Sequence, residues 1–326
     1  MTSLRWGILG ASNFACKHMG PAIHAAKGAD LTALATSNPD KAAGFQAFAP
    51  NLRIHDSYDA LLADPTIDAV YVPLPNHLHV AWTIKALEAG KHVLCEKPIG
   101  LHATDFDALI AARDKAGKQA AEGFMILHHP QFIRARELVQ TSAIGKLVHV
   151  DAHFSYFNDD KDNIRNRPDA GGGGLRDIGV YTFGAVRFVT GQDPLSIPYA
   201  NLRFENGVDV FAHVAATFPD FSYGATVSMR MAPFQNITFR GDKGVLQLTC
   251  PFNANVFDVA QLTLETDGQT VVCERWPAIN HYVLQVENFC QALQTGTAYP
   301  CPLEFSRGTQ QMMDMVFDAG NVPDKE

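Results

Sequence analysis

Arg5-Trp6-Gly7-Ile8-Leu9-Gly10-Ala11-Ser12-Asn13-Phe14-Ala15 is the stretch whose reading decides the fold. The apolar run 5–9 reads as a strand, Gly10 breaks it, and the amphipathic pattern at 14–27 reads as a helix. The junction fits the dinucleotide-binding turn G-x-G-x-x-G/A at its first and last positions and departs from it at Ser12. In such a turn the first glycine permits the bend. The middle residue lets a pyrophosphate approach backbone N–H groups at a helix N-terminus, and the last small residue allows close helix packing. Ser12 is small enough to keep that geometry open, so Gly10, Ser12, Asn13, Phe14 and Ala15 are candidate cofactor contacts.

Outward from this turn the same rhythm continues. Strands are expected at 31–35, 69–72 and 92–95, and helices at 39–49, 57–63, 78–89 and 103–116, the last two stopped by Gly90 and Gly117. Short apolar runs alternating with helices argue for βαβ units and a doubly wound parallel sheet. After about residue 123 the pattern changes. Segments 147–157, 201–218, 223–231, 236–239, 245–249 and 261–265 alternate in polarity and are separated by Glu205-Asn206-Gly207, Gly241-Asp242-Lys243-Gly244 and Asp267-Gly268, which predicts a mainly antiparallel sheet. Helices are expected near 177–189 and 283–293, with another beginning near Glu304. A chain of 326 residues exceeds what one core usually serves, and the predicted division is 1–122 and 123–326.

Composition narrows the function classes. Apolar residues make up 47% and charged residues 18% of the chain, the balance of an ordered globular protein. The net charge of -8 and the lack of any Lys/Arg cluster argue against nucleic acid or an anionic membrane as partner. No apolar run reaches membrane-spanning length, and the first residues lead straight into a strand without a secretory pattern, so the expected location is the cytoplasm. Cys16, Cys95, Cys250, Cys273, Cys290 and Cys301 are scattered singly and read as reduced thiols, with no metal site expected.

Three further features bear on chemistry. After the second strand, where NAD-specific domains carry an acid for the ribose hydroxyls, the chain has Thr36-Ser37-Asn38 with Lys41 a turn later. Hydroxyl, amide and ammonium groups accept a 2′-phosphate that a carboxylate repels, which favours NADP(H) over NAD(H). Ser37 and Asn38 can equally cap the following helix. Glu96-Lys97-Pro98 follows an apolar strand, placing Lys97 at the carboxyl end of the sheet, where it can meet a nicotinamide and transfer protons. A surface Glu-Lys pair is the plain alternative. Finally, Gly171-Gly172-Gly173-Gly174 offers a backbone that something must approach closely. Asp177 and Tyr181 follow at i and i+4, a carboxylate and a phenol on one helix face that can position a substrate hydroxyl and move its proton.

Together with Pro73-Leu74-Pro75-Asn76-His77-Leu78-His79, these motifs make the chain resemble the Gfo/Idh/MocA oxidoreductase family over nearly its whole length. The resemblance implies an α/β Rossmann domain followed by an α+β domain with a large open, mainly antiparallel sheet. One face of that sheet would line the active site, and in many members the other forms a dimer interface, so a homodimer or homotetramer is expected. It implies that Pro73, Leu74, Asn76, His79, Glu96, Lys97 and Pro98 are cofactor contacts, with Asn76 and His79 at the end of the strand beneath the nicotinamide. Tyr181, where many members carry histidine, resembles the branch holding glucose-fructose oxidoreductase, NADP-dependent xylose dehydrogenase and dimeric dihydrodiol dehydrogenase. In that branch Lys97 and Tyr181 would be the proton-transfer pair acting on a sugar or cyclic polyol, and Asp177 would orient it. Phe124-Met125-Ile126-Leu127-His128-His129 looks like the start of the second domain. His129, Arg165 and Arg176, with Asp177 and Tyr181, are candidate substrate contacts, and the added arginines leave an anionic sugar open. Two other readings stay open at this level: a nucleotide-binding sensor without turnover, and a glycosidase that cycles a bound NAD.

Overall fold

The computed structural model describes residues 3–320. The chain forms two compact units, one running through His128 and taking in Asn280–Arg307, the other His129–Ile279 and the chain from Gly308 onward. Where the sequence suggests one boundary after residue 122, the chain therefore crosses between units three times. No helix among the described residues is long and apolar enough to cross a membrane.

In the first unit six strands, β1 (Leu4–Leu9), β2 (Ala29–Ala35), β3 (Arg53–His55), β4 (Ala69–Val72), β5 (His92–Glu96) and β6 (Ala120–Gly123), form one parallel sheet. Their order, β3-β2-β1-β4-β5-β6, reverses direction between β1 and β4. Ligands of open α/β sheets bind at the carboxyl ends of the strands on either side of such a reversal. The sheet is covered on both faces, so β4 is buried at every residue, and Leu9, Val70, Val72 and Val93 are wholly out of water. Each such side chain contributes about 1.5–3 kcal/mol. The helices begin and end on the residues that chemistry prescribes. Asn38 accepts from the backbone N–H groups of Asp40 and Lys41 at 2.9 and 3.3 Å, Ser57 caps the Tyr58–Ala63 helix, and Gly117 closes the Asp105–Ala116 helix at φ 61°.

The second unit carries eight strands: β7 (Leu147–Phe157), β8 (Ser196–Glu205), β9 (Val208–Thr217), β10 (Ser222–Ser228), β11 (Arg230–Gly241), β12 (Gly244–Leu248), β13 (Ala260–Thr266) and β14 (Thr270–Trp276). Their order is β14-β13-β12-β11-β7-β10-β9-β8. All neighbours are antiparallel except β7 and β10. The predicted segment 201–218 is a hairpin, divided at Asn206 and Gly207, both at positive φ (51° and 80°), as a tight two-residue turn requires. Along β7 the residues alternate. Val150, Ala152 and Phe154 are buried on one face, whereas Asp151, His153 and Phe157 stand on the other, in register with Thr238, Asn236 and Arg230 of β11. That second face is polar and partly exposed.

Candidate active site

In the first unit a cleft of about 590 Å³ opens at the reversal of strand order. Gly10, Ser12, Ser37, Asn38, Lys41, Pro73 and Leu74 line it, bringing together residues from three separate loops. Gly10 sits at φ 106°, and a Cβ there would lie 3.1 Å from both a Leu74 methyl and the Tyr58 hydroxyl. The first glycine of the turn is thus demanded by backbone and by space. Ser12 explains its own departure from glycine, since its Oγ accepts the Ala15 N–H at 3.0 Å and caps the helix that follows. Asn13 is exposed, and the Phe14 ring packs on His18 and Tyr282 (centroids 5.1 and 5.7 Å).

Tyr58 and Trp82, packed edge to face at 4.9 Å, also line the cleft and were missed by sequence reasoning. Tyr58 directly follows the capping Ser57, a signal that marks a helix start but not a binding wall. Asp56 and Asp59 line it as well, Asp59 in an ion pair with Lys85 at 2.5 Å. The end of β2 itself carries no carboxylate.

The Lys97 loop leaves β5 with a cis Lys97-Pro98 peptide. Before it, Glu96 accepts a hydrogen bond from the Tyr71 hydroxyl at 2.5 Å. Burial pushes the Glu96 carboxyl upward, and burial with the neighbouring Glu96 charge pushes the Tyr71 phenol far above its ordinary range. After Lys97, the Ile99 N–H donates to Glu122 Oε1 at 2.9 Å. Glu122, on β6, is 3% exposed, and burial raises its carboxyl too.

Asn76 begins a single 3-10 turn, Asn76–Leu78, after Pro73-Leu74-Pro75, and is partly exposed. His79 requires a correction. It is fully buried, with Nδ1 2.8 Å from the Pro98 carbonyl oxygen and Nε2 2.7 Å from that of Leu74. Both ring nitrogens face backbone carbonyls, and the one N–H of the neutral ring is donated to one of them, so the side chain turns no polar atom toward a cofactor. Desolvation lowers its pKa to about 4, and the two carbonyl acceptors act in the opposite direction.

In the second unit the glycine run leads into a turn wound with i→i+5 bonds, Leu175–Gly179, continued by the Val180–Thr190 helix. Such turns recur at functional sites. Asp177 lies in it, 9% exposed, and its Oδ2 receives Arg165 Nε at 2.9 Å and the Tyr156 hydroxyl at 2.6 Å. Asp177 foremost holds Arg165 in its charged form, with Tyr156 and Tyr181 adding to the effect. Burial first, then the Asp177 charge, raises the Tyr156 phenol. Tyr181 is 6% exposed and packs against the stacked pair of Phe154 and Phe252 (5.8 and 6.0 Å).

Arg176 is directed elsewhere, over the Phe317 ring at 5.6 Å and within electrostatic reach of Asp209. His129 is fully buried, and its Nδ1 caps the Pro130–Gln140 helix by accepting the Gln131 N–H at 3.2 Å. Its expected place as a substrate contact is replaced by a capping role. Tyr156 and Asp209 were not anticipated. The signal for Tyr156 was present, because alternation along β7 puts it on the same face as Phe154.

Both halves match known models. Residues 4–124 match the oxidoreductase family with an NAD-binding Rossmann fold, and residues 132–247 match the GFO/IDH/MocA C-terminal domain. The chain belongs to the Gfo/Idh/MocA oxidoreductase family. Within this family it is 34% identical to an uncharacterised oxidoreductase of Rhizobium meliloti, covering 97% of this chain and 96% of the relative. It is 33% identical to a D-xylose 1-dehydrogenase (NADP(+)) of Haloferax volcanii, covering 98% of each. Among solved structures, a 3-ketoreductase from Actinomadura kijaniata in complex with NADP and TDP-benzene superposes with a TM-score of 0.90 at 30% identity over 98% of both chains. The Gfo/Idh/MocA chain described here is accordingly an NAD(P)-dependent oxidoreductase. The Gly10 cradle and the capped helix start at Ser12 suit the pyrophosphate of such a cofactor.

Proposed function

We propose that this Gfo/Idh/MocA enzyme uses NADP(H) to oxidise or reduce a carbinol or carbonyl carbon of a sugar or cyclic polyol, for example an aldose to its lactone. The observation that carries the reading is the cleft at the strand reversal, where Ser37, Asn38 and Lys41 stand at the position of a ribose-binding acid. The Haloferax relative, named for xylose and NADP(+), supports both halves of the statement.

When bound, the nicotinamide supplies or takes the hydride. The chain handles the proton: Tyr181 gives or takes it at the substrate oxygen, and the Lys97 ammonium stabilises the charge that develops there. Asp177, committed to Arg165 and Tyr156, fixes the guanidinium that acts on Tyr181 rather than gripping substrate itself. The test is nicotinamide absorbance with a panel of aldoses, uronic acids, inositols and diols, run with NADP+ and with NAD+. Lys97→Ala and Tyr181→Phe are expected to lower kcat/KM by roughly 10²–10⁴-fold with NADPH binding retained. Turnover within a few-fold of wild type for Lys97→Ala rejects the assignment.

The polar face of the second sheet is the proposed seat of a second copy of the chain, giving a homodimer or homotetramer. Phe157 and Phe234, 60% and 51% exposed on that face, supply apolar area for it. Sedimentation velocity is expected to show at least a dimer at micromolar concentration. A monomer throughout would reject this assembly.

A further inference from the structure

The loop that carries Lys97 is gripped from two sides by buried polar side chains that the proton chemistry does not use. On one flank the His79 ring stands between the carbonyl oxygens of Pro98 and Leu74, at 2.8 and 2.7 Å. On the other, Glu122 takes the Ile99 N–H at 2.9 Å. The residue before Lys97 is tied as well, through Tyr71 and Glu96 at 2.5 Å. His79, Glu122 and Tyr71 are 0%, 3% and 0% exposed. Taking such groups out of water is costly unless each is hydrogen-bonded, and a leucine would fill either buried site without that cost. What a leucine cannot do is fix a carbonyl and an N–H within two residues of Lys97. The same imidazole lies between Pro98 and Leu74, a wall residue of the nucleotide cleft, with its single N–H placed between the two carbonyls, so the lysine loop and the cofactor site pack on one buried ring.

We propose that His79 and Glu122 are positioning residues: a two-sided brace that aims the Lys97 ammonium and sets it in register with the nucleotide cleft before any ligand binds. This rests on the assignment of Lys97 to proton transfer given above. Preorganisation of this kind matters because a displacement near 1 Å at a reacting group can cost about 100-fold in rate.

The test uses the full-length chain and two readouts. Trace acetylation with acetic anhydride at fixed pH, read by mass spectrometry, gives the reactivity of Lys97 against Lys41 and Lys85 in the same molecule without cofactor or turnover. Kinetics on the best sugar give kcat and KM. His79→Leu and Glu122→Ala are expected to change relative Lys97 labelling by about threefold or more. They should also lower kcat about tenfold or more, with KM and NADPH affinity moving less than about threefold. Glu122→Gln, which keeps an acceptor for the Ile99 N–H, is expected to restore most of both. If His79→Leu does not fold, the Glu122 pair decides.

Folded variants whose Lys97 labelling and kcat both stay within about twofold of wild type overturn the brace. So does a loss that falls equally on all three lysines and on NADPH binding, which marks a general structural role. Selective change at Lys97 in a protein whose Lys97→Ala variant still turns over upholds the brace and removes instead the catalytic assignment.

Discussion

Asp209 shows how one buried acid accounts for the glycine run. It is 2% exposed, and its Oδ2 accepts the Leu175 N–H at 2.7 Å, at the start of the turn that carries Asp177. Gly173 sits at φ 126° with its absent Cβ 2.2 Å from Asp209 Oδ1, and a Cβ on Gly172 would lie 2.5 Å from the Arg165 carbonyl oxygen. The close approach read from Gly171–Gly174 is therefore made by the chain's own carboxylate and carbonyl. Burial raises the Asp209 pKa from 3.8 to about 6, against the pull of backbone N–H groups and Arg176. Between those values the folded chain holds a proton that the unfolded chain has released. Stability from this group is thus present at low pH and lost as pH rises through 6, roughly 3 kcal/mol for the shift of about two units. Asp209→Asn keeps an acceptor for Leu175 and removes the titration. Its Tm relative to wild type is expected to climb by roughly 5 °C between about pH 4 and pH 7. A difference that stays constant over that range would sink the account. At this scale Gly10, Ser12, Lys97, Asp177 and Tyr181 can be singled out in the sequence as candidates, because each sits in a local motif. It could not show that Asp177 is tied to Arg165 and Tyr156, or His79 to Leu74 and Pro98, since those partners come from separate elements and leave no spacing to read.

Elements were legible in proportion to how local their causes are. β1, β2, β4 and β5 announce themselves as apolar runs between helices, and the hairpin turn at Asn206 and Gly207 by its residue types. β3 is three residues long, with Arg53 and Ile54 exposed at the edge of the sheet, too short for any periodicity. β6 reads Ala-Ala-Glu-Gly, weak strand formers around a buried acid, and is made a strand by pairing with β5 and by the Ile99 N–H that satisfies Glu122. The Pro130–Gln140 helix was passed over although Phe132, Ala135 and Leu138 recur on one buried face. His129 at its cap is an unusual capping residue and gives no start signal. The parallel pairing of β7 with β10 joins strands about seventy residues apart, a choice set by packing rather than by either strand's composition. The turn at Leu175–Gly179 is likewise silent in sequence, because winding with i→i+5 bonds demands no particular residue.

At the level of the whole molecule the instructive fact is that the nucleotide-binding unit is not one stretch of chain. Its β1 buries Trp6 against Phe289 of the His281–Thr295 helix, centroids 5.2 Å apart, both rings fully inaccessible. The same helix receives the Gln119 side chain at the Phe289 carbonyl and the Lys27 N–H at Glu287, and its Gln285 donates to the Glu122 carbonyl. Further on, Glu304 takes a two-pronged ion pair from Arg113 at 2.8 and 3.0 Å. A fragment ending at residue 128 keeps all six strands of the parallel sheet yet strips Trp6 and the β5–β6 side of these partners. Removing one large core aromatic, as the fragment does with Phe289, costs about 3–5 kcal/mol, a large share of the stability of a typical domain. The fragment 1–128 is therefore expected to lack a cooperative thermal transition and to bind NADPH weakly by fluorescence. The same fragment joined through a flexible Gly/Ser linker to 280–307 should recover both. The control is the joined fragment carrying Phe289→Ala, which should fall back toward the short one. A 1–128 fragment that melts cooperatively at the temperature of the joined form would show that the late helix is an accessory, and the single boundary suggested by the sequence would then describe the folding unit better than the contacts do.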